Sequence, residues 1–129
     1  MLIGSRLSKT IPIYVGVVDD DENLCRSLAR LLRAGGIQPI TYASAESFLA
    51  DTKHPQFDCL VLDIQLGGMS GIELAQQLAA EGGHIPIIFI TAHDDPGARE
   101  EAEAAGCAAY FHKTDSGAEV LDAIRRVAV

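Results

Sequence analysis

Basic residues are scarce in this chain: 10 Lys and Arg stand against 18 Asp and Glu, for a formal net charge of -8 and a pI near 4.8. Phosphate backbones are held by clustered Lys and Arg, so this balance argues against nucleic acid as the direct partner, and a protein or a cation fits better. No apolar run reaches the roughly 18 residues needed to cross a bilayer, and the leader, although it carries Arg6 and Lys9, lacks the apolar stretch of an export signal. Cysteine is limited to 3 residues. Cys25, Cys59 and Cys107 have no C-x-x-C spacing and sit in apolar contexts, which reads as buried thiols in a reducing compartment and leads us to expect a cytoplasmic protein. His54, His84, His93 and His112 show no metal-ligand spacing. Tryptophan is absent, and no internal repeat or low-complexity tract interrupts the chain.

What is present fits one core: 129 residues with 48% hydrophobic content match the size of a single domain. Residues 1–10 read as a loose tail and 11–129 as the domain. Short apolar runs alternate with helical patterns, which indicates repeated βα units and an α/β fold with a parallel sheet. Strands are expected at Ile13–Val18, Ile37–Thr41, Cys59–Leu62, Ile87–Ile90 and Ala109–His112. The first helix places Leu24, Leu28, Leu31 and Leu32 on one face, with Arg26, Arg30 and Arg33 turned outward, and stops at Gly35-Gly36. Ser44 caps the second, Ala45–Ala50. Ser70-Gly71-Ile72-Glu73 has capping-box spacing before the third, anchored by Leu74 and Leu78, and Ser116-Gly117-Ala118-Glu119 repeats that spacing before the last, whose inward residues are Val120, Leu121, Ile124 and Val127. Asp95-Pro96 opens the fourth helix. Its inward positions are Ala98, Ala102 and Ala105, which bury less apolar area than Leu, so this helix is the most weakly packed element and the one expected to move.

Asp19, Asp20 and Asp21 follow the first strand, and Asp63 ends the third. If those strands are neighbours, their carboxyl ends bring the carboxylates together. Such anions repel one another unless a divalent cation with oxygen ligands sits among them, which points to a Mg²⁺ pocket. Thr91 and Lys113 also fall at strand carboxyl ends, where open parallel sheets bind ligands. Plainer roles stay open for each taken alone: Asp20 or Asp21 as a helix cap, Lys113 as a surface lysine, Thr91 as a strand-end residue, Tyr110 as a packed aromatic.

Taken as an ordered set, Val18-Asp19-Asp20-Asp21, Leu62-Asp63-Ile64-Gln65-Leu66, Met69-Ser70-Gly71, Ile90-Thr91-Ala92 and Tyr110-Phe111-His112-Lys113 resemble the receiver domain of bacterial two-component response regulators over about Ile13 to Val127. The resemblance implies a flavodoxin-like (βα)5 fold, a doubly wound five-stranded sheet of order 2-1-3-4-5. It implies that Asp63 is the phosphoacceptor, taking a phosphoryl group from a sensor histidine kinase or phosphotransfer protein. Mg²⁺ is then held by Asp20 and Asp63, by the backbone carbonyl of Gln65, and by Asp19 largely through water. Lys113 pairs with Asp63 and afterwards with the phosphoryl group, and Thr91 donates its hydroxyl to that group. Thr91 and Tyr110 form the switch, changing a face made by the fourth helix, fifth strand and fifth helix, through which a homodimer or an output protein is engaged. His93, two positions beyond Thr91, is a candidate for controlling access of hydrolytic water.

Two positions depart from the family pattern. Thr114 replaces the Pro that usually follows the Lys with a cis bond before it; cis before a non-proline residue costs about 2.5–4 kcal/mol, so a trans peptide and a displaced Lys113 loop are expected. Gly67-Gly68 stands where Pro often stiffens the loop, which predicts looser loops around the site. The main reading is a phosphorylation switch, not a turnover enzyme. One alternative is a Mg²⁺-dependent phosphohydrolase using Asp63, although Gln65 occupies the place of its usual second Asp; another is a receiver-like interaction module that works without phosphorylation.

Overall fold

The computed structural model describes residues 12–93 and 95–128; the expected tail lies outside them. Five strands and five helices alternate: β1 Ile13–Val18, α1 Glu22–Ala34, β2 Ile37–Tyr42, α2 Ala45–Ala50, β3 Cys59–Asp63, α3 Gly71–Ala80, β4 Ile87–Thr91, α4 Pro96–Ala104, β5 Ala109–His112 and α5 Gly117–Val127. All strands are parallel, in the order β2-β1-β3-β4-β5. This is the doubly wound order that the sequence resemblance implies.

Side chains alternate across the sheet, so each central strand feeds two cores. Leu60, Leu62 and Phe89 face one layer with Phe48, Ile72, Leu74 and Ala102. Val15, Val17, Val61, Ile88 and Ile90 face the other with Leu28, Leu32, Val120 and Ile124. Every residue of β3 is buried, which explains why its sequence is apolar without alternation until Asp63. The polar end of an otherwise apolar strand is therefore held inside the protein.

The helix starts mostly follow their local chemistry. Ser44 and Ser70 form reciprocal capping boxes with Ser47 and Glu73. Asp95 caps α4, with Pro96 in its first turn. At α5 the expected box does not close: the Ser116 side chain accepts from the Ala118 amide, and Glu119 donates its own backbone N–H to the Ser116 carbonyl. The cap is thus made one residue earlier than the box requires. In α4, Ala102 is the residue fully buried, so the fourth helix is thinly anchored, as its alanine face implies.

The thiols need one correction. Cys25 and Cys59 are buried and free, but Cys107 is half-buried, because it precedes β5, an edge strand whose residues are all half-buried. Burial pushes the Cys59 thiol up to about 12 and the Cys25 thiol up to about 11, with nearby aspartates adding to both. Thiolate is the reactive form. Burial raises the Cys107 thiol as well, with Glu103 adding to it, but its partial exposure leaves it open to reagent, so iodoacetamide at mildly alkaline pH should modify Cys107 ahead of the fully buried Cys59; peptide mapping that finds Cys59 labelled as fast as Cys107 would contradict this burial pattern.

Candidate functional site

The carboxyl ends of β1, β3, β4 and β5 converge on a group of polar side chains in an apolar frame. Asp19, Asp63 and Thr91 are the polar residues buried among the described residues, at 1%, 2% and 1% exposure. Asp19 is fixed through its backbone, donating its N–H to the Tyr42 carbonyl and accepting the Cys25 thiol at its own carbonyl. Its side-chain Oδ1 accepts the Asp21 N–H at 2.8 Å. Asp63 Oδ1 accepts the Gln65 N–H at 3.1 Å. Each buried carboxylate thus holds the first turn of its own loop.

Lys113 pairs with both. Its Nζ lies 3.0 Å from Asp63 Oδ2 and 3.0 Å from Asp19 Oδ2. The peptide after it is trans, since the described residues contain no cis bond, as expected for Lys113-Thr114. Lys113 reaches both carboxylates with this trans peptide. Asp115 accepts the His112 N–H at 2.8 Å and returns its own N–H to the His112 carbonyl, and the Lys113 N–H is bonded to the Thr91 carbonyl. These bonds carry the lysine to the carboxylates without a proline.

Three acids meet one ammonium. Carboxylate oxygens of Asp19, Asp20 and Asp63 lie within 4.8 Å of one another, the first and last buried and Asp20 exposed. Asp21 is not part of this group: it caps α1, accepting the Asn23 and Leu24 N–H groups. Burial pushes the Asp19 carboxyl from 3.8 up to about 6, against the opposing Asp21 N–H and Lys113, with Asp63 adding repulsion. A raised carboxylate pKa means the folded protein binds the proton more tightly, so this group costs stability as pH rises from its unfolded to its folded value. At neutral pH Asp19 is held charged at that cost. For Lys113 burial opposes the charge, but the ion pairs with Asp63 and Asp19 prevail and its pKa is raised. The donor set is all oxygen, partly buried and in excess of its single ammonium, which fits a hard divalent cation such as Mg²⁺.

Thr91 sits at the end of β4 beside this group, but its hydroxyl is engaged locally. Oγ1 donates to the His93 carbonyl at 3.0 Å and accepts the His93 N–H at 3.1 Å. Tyr110 is half-buried on β5, and the Arg99 guanidinium of α4 lies over its ring, 5.1 Å from the centroid. His93 and Gln65 are exposed. Among the sequence-selected residues, Asp19, Asp20, Asp63 and Lys113 are brought together directly, Thr91 flanks them, and Tyr110 lies along β5 toward α4. Sequence reasoning includes Gly71 among the motifs but gives it no packing role: a Cβ at this first residue of α3 would run into the Asp63 carbonyl, a contact that no local pattern reports.

Comparison with known proteins identifies the family of the fold. The response regulator receiver domain family matches residues 15–125. Nodulation protein W of Bradyrhizobium diazoefficiens is 36% identical over 121 residues, covering 94% of this chain and 53% of that protein. The crystal structure of FixJ-N superposes with a TM-score of 0.83 at 34% identity, covering 92% of this chain and 95% of that one. A response regulator receiver protein from Burkholderia phymatum is 44% identical with a TM-score of 0.78, covering 90% and 94% of the two chains. The chain spans about half the length of the curated relatives it matches.

Proposed function

The chain belongs to the response regulator receiver family, and from that premise we propose that it is a phosphorylation-activated switch in which Asp63 accepts a phosphoryl group from a sensor histidine kinase or a phosphotransfer protein. Members of this family are signalling switches rather than enzymes. The observation that carries the assignment is the seat of Asp63: buried at a strand end, 3.0 Å from Lys113 Nζ, and grouped with Asp19 and Asp20.

In this reading an Asp63 carboxylate oxygen forms a bond to phosphorus while the donor's P–N bond breaks. A carboxylate is a weak nucleophile, so the protein contributes placement and charge rather than a base. Asp63 is oriented by the Gln65 N–H at one oxygen and by Lys113 at the other. Lys113 then follows the phosphoryl oxygens, and the Thr91 hydroxyl turns from the His93 carbonyl to donate to them. Each such charge-assisted contact is worth about 1.5–3 kcal/mol. Mg²⁺, held by Asp19, Asp20, Asp63 and the Gln65 carbonyl, would supply the further positive charge that phosphoryl oxygens require.

The output surface proposed is the one formed by α4, β5 and α5, engaged by a second copy or by an output protein. Two features support it: α4 is fully buried only at Ala102, and Arg99 already links α4 to Tyr110. A helix so lightly held is repositioned by a few kcal/mol. The free thiols and the acidic balance favour a cytoplasmic setting and a protein, not nucleic acid, as the direct partner of this domain.

Incubation with acetyl phosphate and Mg²⁺ tests the reading. About one phosphoryl group per chain, labile to hydroxylamine as an acyl phosphate is, is the expected result; multiple turnover of unrelated phosphoesters would favour the phosphohydrolase, and no label at all the interaction module. Thr91→Ala separates chemistry from switching. It removes a hydroxyl and leaves Asp63 and Lys113 in place, so labelling persists within about tenfold while NMR shifts of α4 and β5 on phosphorylation shrink. Shifts equal to wild type would refute the coupling.

A further inference from the structure

The loop from Asp63 to Ser70 carries the nucleophile at one end and Gln65 near it, and contains two consecutive glycines where a stiffening proline is common. A glycine-rich loop costs conformational entropy to hold in one geometry. Glu46 reaches this loop from α2. Its Oε2 accepts the Met69 N–H at 2.8 Å, across 23 positions of sequence. The same carboxylate covers Gly68, where a Cβ would meet Oε2 at 2.6 Å and Cδ at 3.2 Å. Gly68 has φ +75°, a conformation glycine adopts without strain, so its backbone and its bare Cα both suit the approach of Glu46.

The helix that presents Glu46 is itself fixed. Ser44 and Ser47 close a capping box at its start, and Ala45 and Phe48 are buried on either side of Glu46. The Met69 N–H holds the Glu46 carboxyl below the ordinary range, so the acceptor stays ionised at neutral pH. An ionised acceptor makes the stronger kind of hydrogen bond.

We infer that Glu46 is a positioning residue for the phosphoacceptor loop: seated on Gly68 and bonded to the Met69 amide, it restrains the segment that carries Asp63 and Gln65. It thereby sets Mg²⁺ affinity and the rate of phosphorylation without touching either group. The inference rests on the assignment of Asp63 as phosphoacceptor. It also accounts for how the loop does without proline: an external carboxylate restrains what the ring would have stiffened.

The test compares wild type, Glu46→Ala and Glu46→Gln, the last keeping an oxygen acceptor. Mg²⁺ binding is read by calorimetry, labelling by acetyl phosphate, exchange of the Met69 amide by NMR without metal, and stability by the urea midpoint. Glu46→Ala should weaken Mg²⁺ binding and slow labelling by about three- to tenfold, while Glu46→Gln stays within about twofold of wild type. The Met69 amide should exchange faster in Glu46→Ala, and the urea midpoint should hold because Glu46 is exposed. Equal Mg²⁺ affinity and labelling in all three chains would overturn the inference, as would losses that merely follow a lowered urea midpoint. Failure of wild type to take label would overturn the Asp63 assignment and the inference with it, and is told apart because no Glu46 variant enters that comparison.

Discussion

Asp63→Asn should reduce acetyl phosphate labelling to less than about a thousandth of wild type, because an amide oxygen offers no anionic nucleophile to phosphorus. The fold should survive the change. Asn retains an oxygen that accepts the Gln65 N–H now bonded to Oδ1, and nearly conserves volume in the buried site. Removing one member of a buried ion pair costs several kcal/mol when its partner is stranded, but Lys113 stays 3.0 Å from Asp19 Oδ2. The substitution also relieves repulsion among three carboxylates lying within 4.8 Å. With its oxygen on the Gln65 N–H, Asn turns its NH2 toward Lys113 Nζ, donor against donor, so Lys113 turns to Asp19 alone. These opposing effects leave a stability change of about 1–2 kcal/mol, so loss of label with the fold retained and a small shift in the urea midpoint is the expected pair of results. Label retained at wild-type level and mapped to another residue would refute the assignment; loss of label together with unfolding would refute the balance of charges.

The fold was legible because its signals are local and repeated. Apolar runs that end in Asp63, Thr91 and Lys113 mark strands entering a polar edge, and each helix begins with a capping residue. The grouping of Asp19, Asp20, Asp63 and Lys113 was legible for the same reason: the βα repeat places these residues at strand ends. Sequence left open which acid served as a helix cap, and the structure assigns that to Asp21, with two N–H donors. What local pattern could not supply were contacts made across the chain. The Ser116 box had correct spacing but a different turn. Cys107 had apolar neighbours, yet its exposure follows from β5 being an edge. The Glu46 bond to Met69 and the hydrogen bonds of the Lys113 loop join distant or reciprocal partners, which composition cannot reveal.

Gly71→Ala is the sharpest test of such a hidden contact. Taken locally, the change should help: alanine is favoured over glycine in a helix by up to about 1 kcal/mol, and Gly71 opens α3. Tertiary packing points the other way. The added methyl would run into the Asp63 carbonyl and lie 3.2 Å from the Ile64 Cα, and both are backbone atoms that no rotamer change can move aside. The Gly71 N–H is also bonded to the Ile64 carbonyl, which pins helix and strand together at this point. Overpacking of this kind costs about 1–3 kcal/mol and exceeds the propensity gain. Relief requires α3 and the end of β3 to separate, which shifts Asp63 relative to Lys113 and Asp19. Placement errors approaching 1 Å cost about a hundredfold in rate, so labelling should fall by roughly ten- to a hundredfold along with a lowered urea midpoint. Gly67→Ala is the matched control, because nothing lies within 4 Å of its Cβ position, and it should leave both measurements close to wild type. A Gly71→Ala protein with wild-type stability and labelling would mean that the helix start yields freely and that the close approach of α3 to Asp63 has no part in holding the nucleophile.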